Sequence, residues 1–179
     1  DGRMARLNDL FKFSKKHKIK LASIEDLISY RLKYEKLILR LSSKVIISNK
    51  YGKIHIYSYK NKLENNINLV ISKGVLNPNK SVPVRVISTK IKNLNILNNI
   101  NIKNSLKILS KFKNFLLLII NSNETTKDYS TNTLRYYGIG AQIIKDLNIK
   151  NMILISRSKK KIIGLEGFGL RIKKQIIIK

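Results

Sequence analysis

The sequence predicts a fold of the mixed α/β (α+β) class: a short α-β-α unit, then an antiparallel β meander, then an α/β region. Three observations predict it. Apolar residues keep helical spacing near the start of the chain, alternate strictly from Leu37 to Val86, and mix the two periods from Ile102 onward.

Taken in order, Leu7, Leu10, Phe11 and Ser14 fall at i, i+3, i+4 spacing, with Lys12, Lys15 and Lys16 on the opposite face. This predicts an amphipathic helix over 8–17 with Asn8 as its cap. A short strand is expected over 19–22. Ser23 followed by Asp26 has the spacing of a capping box and opens a second helix that runs to about residue 33.

From Leu37 the period changes. Leu37, Leu39 and Leu41, then Ile54 and Ile56, then Leu69 and Ile71, then Val82, Val84 and Val86 recur at every second position. The breaks at 49–52, 60–66 and 74–80, the last holding Asn77-Pro78-Asn79, are rich in turn formers, so 37–88 is expected to be an antiparallel meander. Beyond it the pattern predicts a helix over 102–113, a fully apolar strand over 115–120, a short helix over 141–147, a strand over 152–156, a helix over 160–166 and a last strand over 170–178. The Asn-rich stretch 93–101 and the polar stretch 121–132 sustain no period and are expected to be loops. The boundary between the two units is expected near 34–36, where the helical period gives way to the strand period.

The chain has 179 residues, room for one ordinary domain or a domain plus a remnant of another. It starts at Asp1 without a leader-like segment, and is expected to begin part-way through a longer protein. Its longest apolar runs, such as Phe115 to Ile120, fall far short of the roughly 20 residues of a transmembrane helix, so a soluble, cytoplasmic protein with no membrane partner is expected. Cysteine is absent, which excludes disulfides, thiolate metal sites and cysteine nucleophiles. The net charge of +27 is the footprint of an anion binder. Only 8 of the 37 basic residues are Arg, however, and the Lys are spread along the chain with Ile and Asn, as AT-rich codons produce. Neither Arg forks nor aromatics in a basic stripe are evident, so nucleic acid is not the expected partner.

Asp1-Gly2-Arg3-Met4-Ala5-Arg6-Leu7, Phe13-Ser14-Lys15-Lys16-His17 and Ile24-Glu25-Asp26-Leu27-Ile28-Ser29-Tyr30-Arg31 resemble the closing segment of 3,4-dihydroxy-2-butanone 4-phosphate synthase. Tyr137-Gly138-Ile139-Gly140-Ala141-Gln142 and Gly164-Leu165-Glu166-Gly167-Phe168-Gly169 resemble GTP cyclohydrolase II. The order of the two is that of the fused bifunctional enzyme of riboflavin biosynthesis. The resemblance implies a synthase remnant over 1–34 and a cyclohydrolase-like domain over 35–179. The synthase's magnesium and catalytic residues belong upstream of this segment, and a homodimer would form through that domain. Independently of the family, Gly138 and Gly140 suit a tight helix entry, and Gly167 and Gly169 a helix exit before an edge strand.

In the cyclohydrolase family three Cys hold the zinc that activates water for opening the imidazole ring of GTP. The family's Arg-Val-His-Ser-Glu-Cys stretch falls on Arg85-Val86-Ile87-Ser88-Thr89-Lys90, so Lys90 replaces the first Cys and nothing supplies the others. His17 and His55 are the only imidazoles and are expected to be ordinary surface or half-buried residues. No cofactor is expected in this segment. The resemblance carries the family's proposed nucleophile onto Arg135, with Thr133 in place of its acidic partner, and the GTP contacts onto Arg85, Ser88, Ser156 and Lys161. Each of these is equally read as a solvated basic side chain or a capping hydroxyl. The run Lys159-Lys160-Lys161 is open to the same two readings, a phosphate cradle or a solvated face.

The function expected is a riboflavin-biosynthesis protein whose chemistry belongs to the upstream synthase, which makes 3,4-dihydroxy-2-butanone 4-phosphate from ribulose 5-phosphate. The present domain is then an inactive structural or regulatory appendage with GTP or phosphate as its remaining partner. An active GTP cyclohydrolase II and a basic RNA-binding module are the two alternatives.

Overall fold

The computed structural model describes residues 4–23, 26–27, 30, 34–62, 66–91, 96–121, 129–159 and 165–178, with the backbone alone for 129–136 and 166. One seven-stranded mixed sheet organises it: β1 (Ile38–Ser48), β2 (Gly52–Asn61), β3 (Ile67–Lys73), β4 (Val82–Thr89), β5 (Phe115–Asn121), β6 (Asn151–Ser156) and β7 (Arg171–Ile177), in the spatial order β1-β2-β3-β5-β4-β6-β7. Among the described residues its helices include α1 (Leu7–His17), α2 (Ile100–Leu109) and α3 (Tyr129–Asp146). The mixed α/β class is the one expected. Among the described residues no helix is long and apolar enough to cross a membrane.

The meander stops at β3, which corrects the expectation for 37–88. β1, β2 and β3 pair antiparallel in sequence order, but β5 then lies between β3 and β4, antiparallel to the first and parallel to the second. The reason lies in composition. β5 is apolar on both faces, with Phe115 through Ile120 all buried, and a strand of that kind belongs in the centre of a sheet. β4 also pairs parallel with β6, and β6 with β7.

The helices cover opposite faces. Ile102, Leu106 and Leu109 of α2 pack on Ile71, Leu117, Ile119 and Ile155, while Ile139, Ile143 and Ile144 of α3 pack on Val70, Val84, Leu116 and Leu118. α2 begins two residues before the expected start, because the Asn99 side chain caps it by accepting from Asn101 and Ile102 backbone N–H groups. Its cap and first turn thus lie in the Asn-rich stretch expected to be a loop. α3 is longer than the predicted 141–147 and takes in 129–132, also expected to be loop; its N-terminal turns are polar, so no apolar period announces them. Gly138 and Gly140 consequently lie inside a helix and not at its entry. A Cβ at Gly140 would stand 3.2 Å from Leu118 Cδ2, so glycine there lets α3 approach β5 closely. Gly169, at φ +72°, ends the 3-10 turn Leu165–Phe168 before the edge strand β7, as expected. Most of the helix predicted over 160–166 lies outside the described residues.

α1 is capped by Arg6 and Asp9, not Asn8: Arg6 N–H donates to the Asp9 carboxylate at 3.0 Å. The Ser23 capping box forms, with Asp26 N–H donating to Ser23 Oγ at 3.0 Å. No strand forms over 19–22; among the described residues no neighbouring strand is there to take its hydrogen bonds. α1 buries no residue, and Leu7, Leu10 and Phe11 are exposed. The body proper starts at the junction. Gln142 of α3 accepts from Leu37 N–H at 3.0 Å and donates to the Glu35 carbonyl at 2.8 Å, and one turn later Asp146 takes the Arg40 guanidinium and the Tyr59 hydroxyl.

Candidate functional site

The β4–β6 ladder lasts only from Val82↔Met152 to Val84↔Leu154. Past Val84, β4 stays paired with β5 while β6 stays paired with β7, so the sheet opens along a seam at the carboxyl ends of β4 and β6. The chain leaves β4 through α2 toward β5 on one side, and leaves β6 toward β7 on the other. A crevice where successive connections diverge in this way is where open α/β sheets bind ligands.

Two hollows flank the seam. On the α2 side lies a basin of about 700 Å³, reached by Arg85, Ser88, Lys107, Lys111, Ser156 and Arg157, and none of its described lining residues is acidic. On the α3 side lies a slot of about 240 Å³ lined almost wholly by apolar side chains. Ser88 and Ser156 line both.

Arg85 forms the basin floor. It is only 6% exposed, yet among the described residues no carboxylate faces it. Its Nε donates to Ser105 Oγ at 3.0 Å and its Nη1 to the Ile155 carbonyl at 3.4 Å, across the open seam. A guanidinium has five N–H donors, so two bonds leave capacity directed at the basin. Burial, and then the charge of Arg157, push its pKa below the ordinary guanidinium value. A buried cation with no counter-ion among the described residues, beside a second cation, is a site that an anion relieves.

The structure therefore brings together three of the sequence-predicted residues, Arg85, Ser88 and Ser156. Arg135 falls within α3, but its side chain lies outside the described residues, as does Lys161 altogether. Lys159 is exposed and does not line the basin. Sequence reasoning missed Ser105, Lys107, Lys111 and Arg157. Ser105 carried a signal, since it is a polar residue inside the apolar stripe of Ile102, Leu106 and Leu109.

The donors for zinc do not fit. Lys90 is exposed at the end of β4, Thr89 beside it accepts from Asn99 Nδ2, and the chain has no Cys. His17 lies tilted against the Phe13 ring and His55 stacks on Tyr57. Among the described residues no three His, Asp or Glu come together as a metal site.

Comparison with known proteins agrees with this reading of the fold. The GTP cyclohydrolase II family model matches residues 97–177. The riboflavin biosynthesis protein RibBA of Aquifex aeolicus (strain VF5) is 31% identical over 209 residues, covering 100% of this chain and 51% of that protein. A 3,4-dihydroxy-2-butanone 4-phosphate synthase of Photobacterium phosphoreum is 32% identical over 195 residues, covering 96% of this chain and 52% of its own length. The crystal structure of RibBX from A. baumannii, described as a two-domain 3,4-dihydroxy-2-butanone 4-phosphate synthase, superposes with a TM-score of 0.69 at 28% identity over 99% of this chain and 52% of that one. The chain spans about half the length of the curated relatives it matches. The chain is thus similar to about half of each of these proteins, and its residues 97–177 are similar to GTP cyclohydrolase II.

Proposed function

We propose that this chain is the cyclohydrolase-like half of a riboflavin-biosynthesis protein, that it no longer opens the GTP ring, and that it keeps a phosphate-binding basin. The chemistry of the whole protein then belongs to an upstream synthase that forms 3,4-dihydroxy-2-butanone 4-phosphate with magnesium, and 1–34 is the end of that unit. Two relatives that align over nearly all of this chain are named for the synthase alone, one of them as a two-domain protein, which supports this division of labour.

The observation that carries the proposal is the donor set. A hydrolytic zinc needs about three protein ligands, and this sequence has no Cys and places Lys90 where the family's first zinc ligand stands. What survives is the anion side, Arg85 with Ser88 and Ser156 in one basin. The relict nucleophile Arg135 has no metal-activated water with which to complete a turnover. Metal analysis after dialysis, with melting curves in GTP and in pyrophosphate, tests the reading. It expects no retained zinc and a melting temperature raised by both ligands. One zinc per chain, or melts that neither ligand moves, would overturn it.

A further inference from the structure

Among the described residues the apolar slot is lined by no charged side chain, and it meets the basin at Val86, Ile87, Ser88 and Ser156. Its walls are Val86, Ile120, Ile144, Met152, Leu154 and Leu165, from β4, β5, α3, β6 and the turn after it. Among the described residues its polar side chains are the hydroxyls of Ser88, Ser156 and Tyr137. Ser156 Oγ already donates to the Ser158 carbonyl at 2.7 Å. Guanine carries donors or acceptors on nearly all of its edges, and a wall of aliphatic side chains leaves them unpaired. A ring with a hydrogen-bond-free edge loses nothing there and gains the burial.

We infer that the ligand of this cleft is a phosphate ester carrying a flat ring with an apolar edge, the ring in the slot and the phosphate in the basin at Arg85. The inference rests on the phosphate-binding reading above and adds the identity of the group attached to the phosphate. It also makes the slot a discriminator, since the same hollow that accepts such a ring rejects guanine by leaving its polar edges unsatisfied.

Binding of four probes to the full chain tests it: flavin mononucleotide, whose dimethylbenzene edge has no hydrogen-bonding group, riboflavin, GTP and pyrophosphate. Flavin mononucleotide is expected to bind at least tenfold more tightly than GTP, pyrophosphate or riboflavin. Leu165→Trp, which fills the slot from a partly exposed position that does not line the basin, should reduce flavin mononucleotide to the affinity of pyrophosphate and leave pyrophosphate unchanged. Leu165→Lys, a charge at the slot wall, serves as a second variant should the tryptophan fail to fold. GTP binding as tightly as flavin mononucleotide, or both Leu165 variants leaving flavin binding intact, overturns the inference. Pyrophosphate binding that gains nothing from any ring overturns this inference alone. Silence of all four probes overturns the phosphate reading with it.

Discussion

Arg85 Nε on β4 donates to Ser105 Oγ on α2 at 3.0 Å, and that bond fixes a buried guanidinium at the floor of the basin. Ser105 spends its own proton on the Asn101 carbonyl at 2.7 Å, so its oxygen is turned to accept from Arg85. The arrangement holds the cation in place without neutralising it.

Replacing Arg85 by Met should therefore leave the ligand-free domain within about 1 kcal/mol of the wild type, or make it more stable, because a buried charge without a counter-ion is removed. The same change should abolish the rise in melting temperature caused by pyrophosphate. Melting curves with and without pyrophosphate check both halves. A loss of several kcal/mol without ligand would mean that Arg85 is a structural keystone and not a ligand-facing charge.

Asp146 is the anchor of the opposite end of α3. Its carboxylate accepts from Arg40 at 2.6 Å and from the buried Tyr59 hydroxyl at 2.9 Å. The ion pair is partly exposed and contributes only about 0.5 kcal/mol, so most of the loss in Asp146→Asn should come from weakening the bond to Tyr59. A total of about 1–3 kcal/mol is expected by the same reasoning, read as a fall in melting temperature of about 2–8 °C.

Burial, and then the Asp146 carboxylate, push the Tyr59 phenol well above its ordinary value of 10.0. A raised folded-state pKa means stability that is complete below pH 10.0 and is lost as the pH climbs toward the folded value. Tyr59→Phe should flatten this alkaline loss. Denaturant titrations from pH 9 to 11 that decline equally in both proteins would contradict it.

The same features show how far the sequence could be read. Alternation located the strands between Leu37 and Val86, and an unbroken apolar run located β5, but neither pattern carries information about neighbours. That β5 separates β3 from β4 follows from its two buried faces, a property visible in Phe115 to Ile120 once the question is posed. Arg85, Ser88 and Ser156 came from the family resemblance, and their meeting depends on a seam that opens only because the β4–β6 ladder ends at Val84↔Leu154. No local pattern encodes that. Arg157 and Lys107 were lost among so many scattered lysines, where a functional cation and a solvated one look alike.

Gly74 offers a backbone test. It adopts φ +72°, and a Cβ there would stand 3.0 Å from Asn114 Cβ and 3.1 Å from the Lys113 carbonyl oxygen. Gly74→Ala is expected to cost about 1–2 kcal/mol, from the left-handed conformation and the contact together. Gly167→Ala, where a Cβ meets nothing within 4 Å, is the control and should change stability far less.

Leu7, Leu10 and Phe11 lie exposed on α1, which buries nothing against the rest of the described chain. An apolar stripe of this kind belongs against a partner surface. Replacing all three by Ser should reduce binding of a hydrophobic dye while leaving the melting temperature of the sheet domain unchanged. A fall in melting temperature would show instead that α1 supports the domain in solution.

Formate release from GTP, followed with zinc added in excess, tests the central claim most directly. With no thiolate ligands in the chain and Lys90 at the position of the first, release should stay at the level of the protein-free control while GTP still raises the melting temperature. Sustained formate release that stops on adding a chelator would show a working zinc centre built from other donors, and the account of an inactive, phosphate-binding domain would fall.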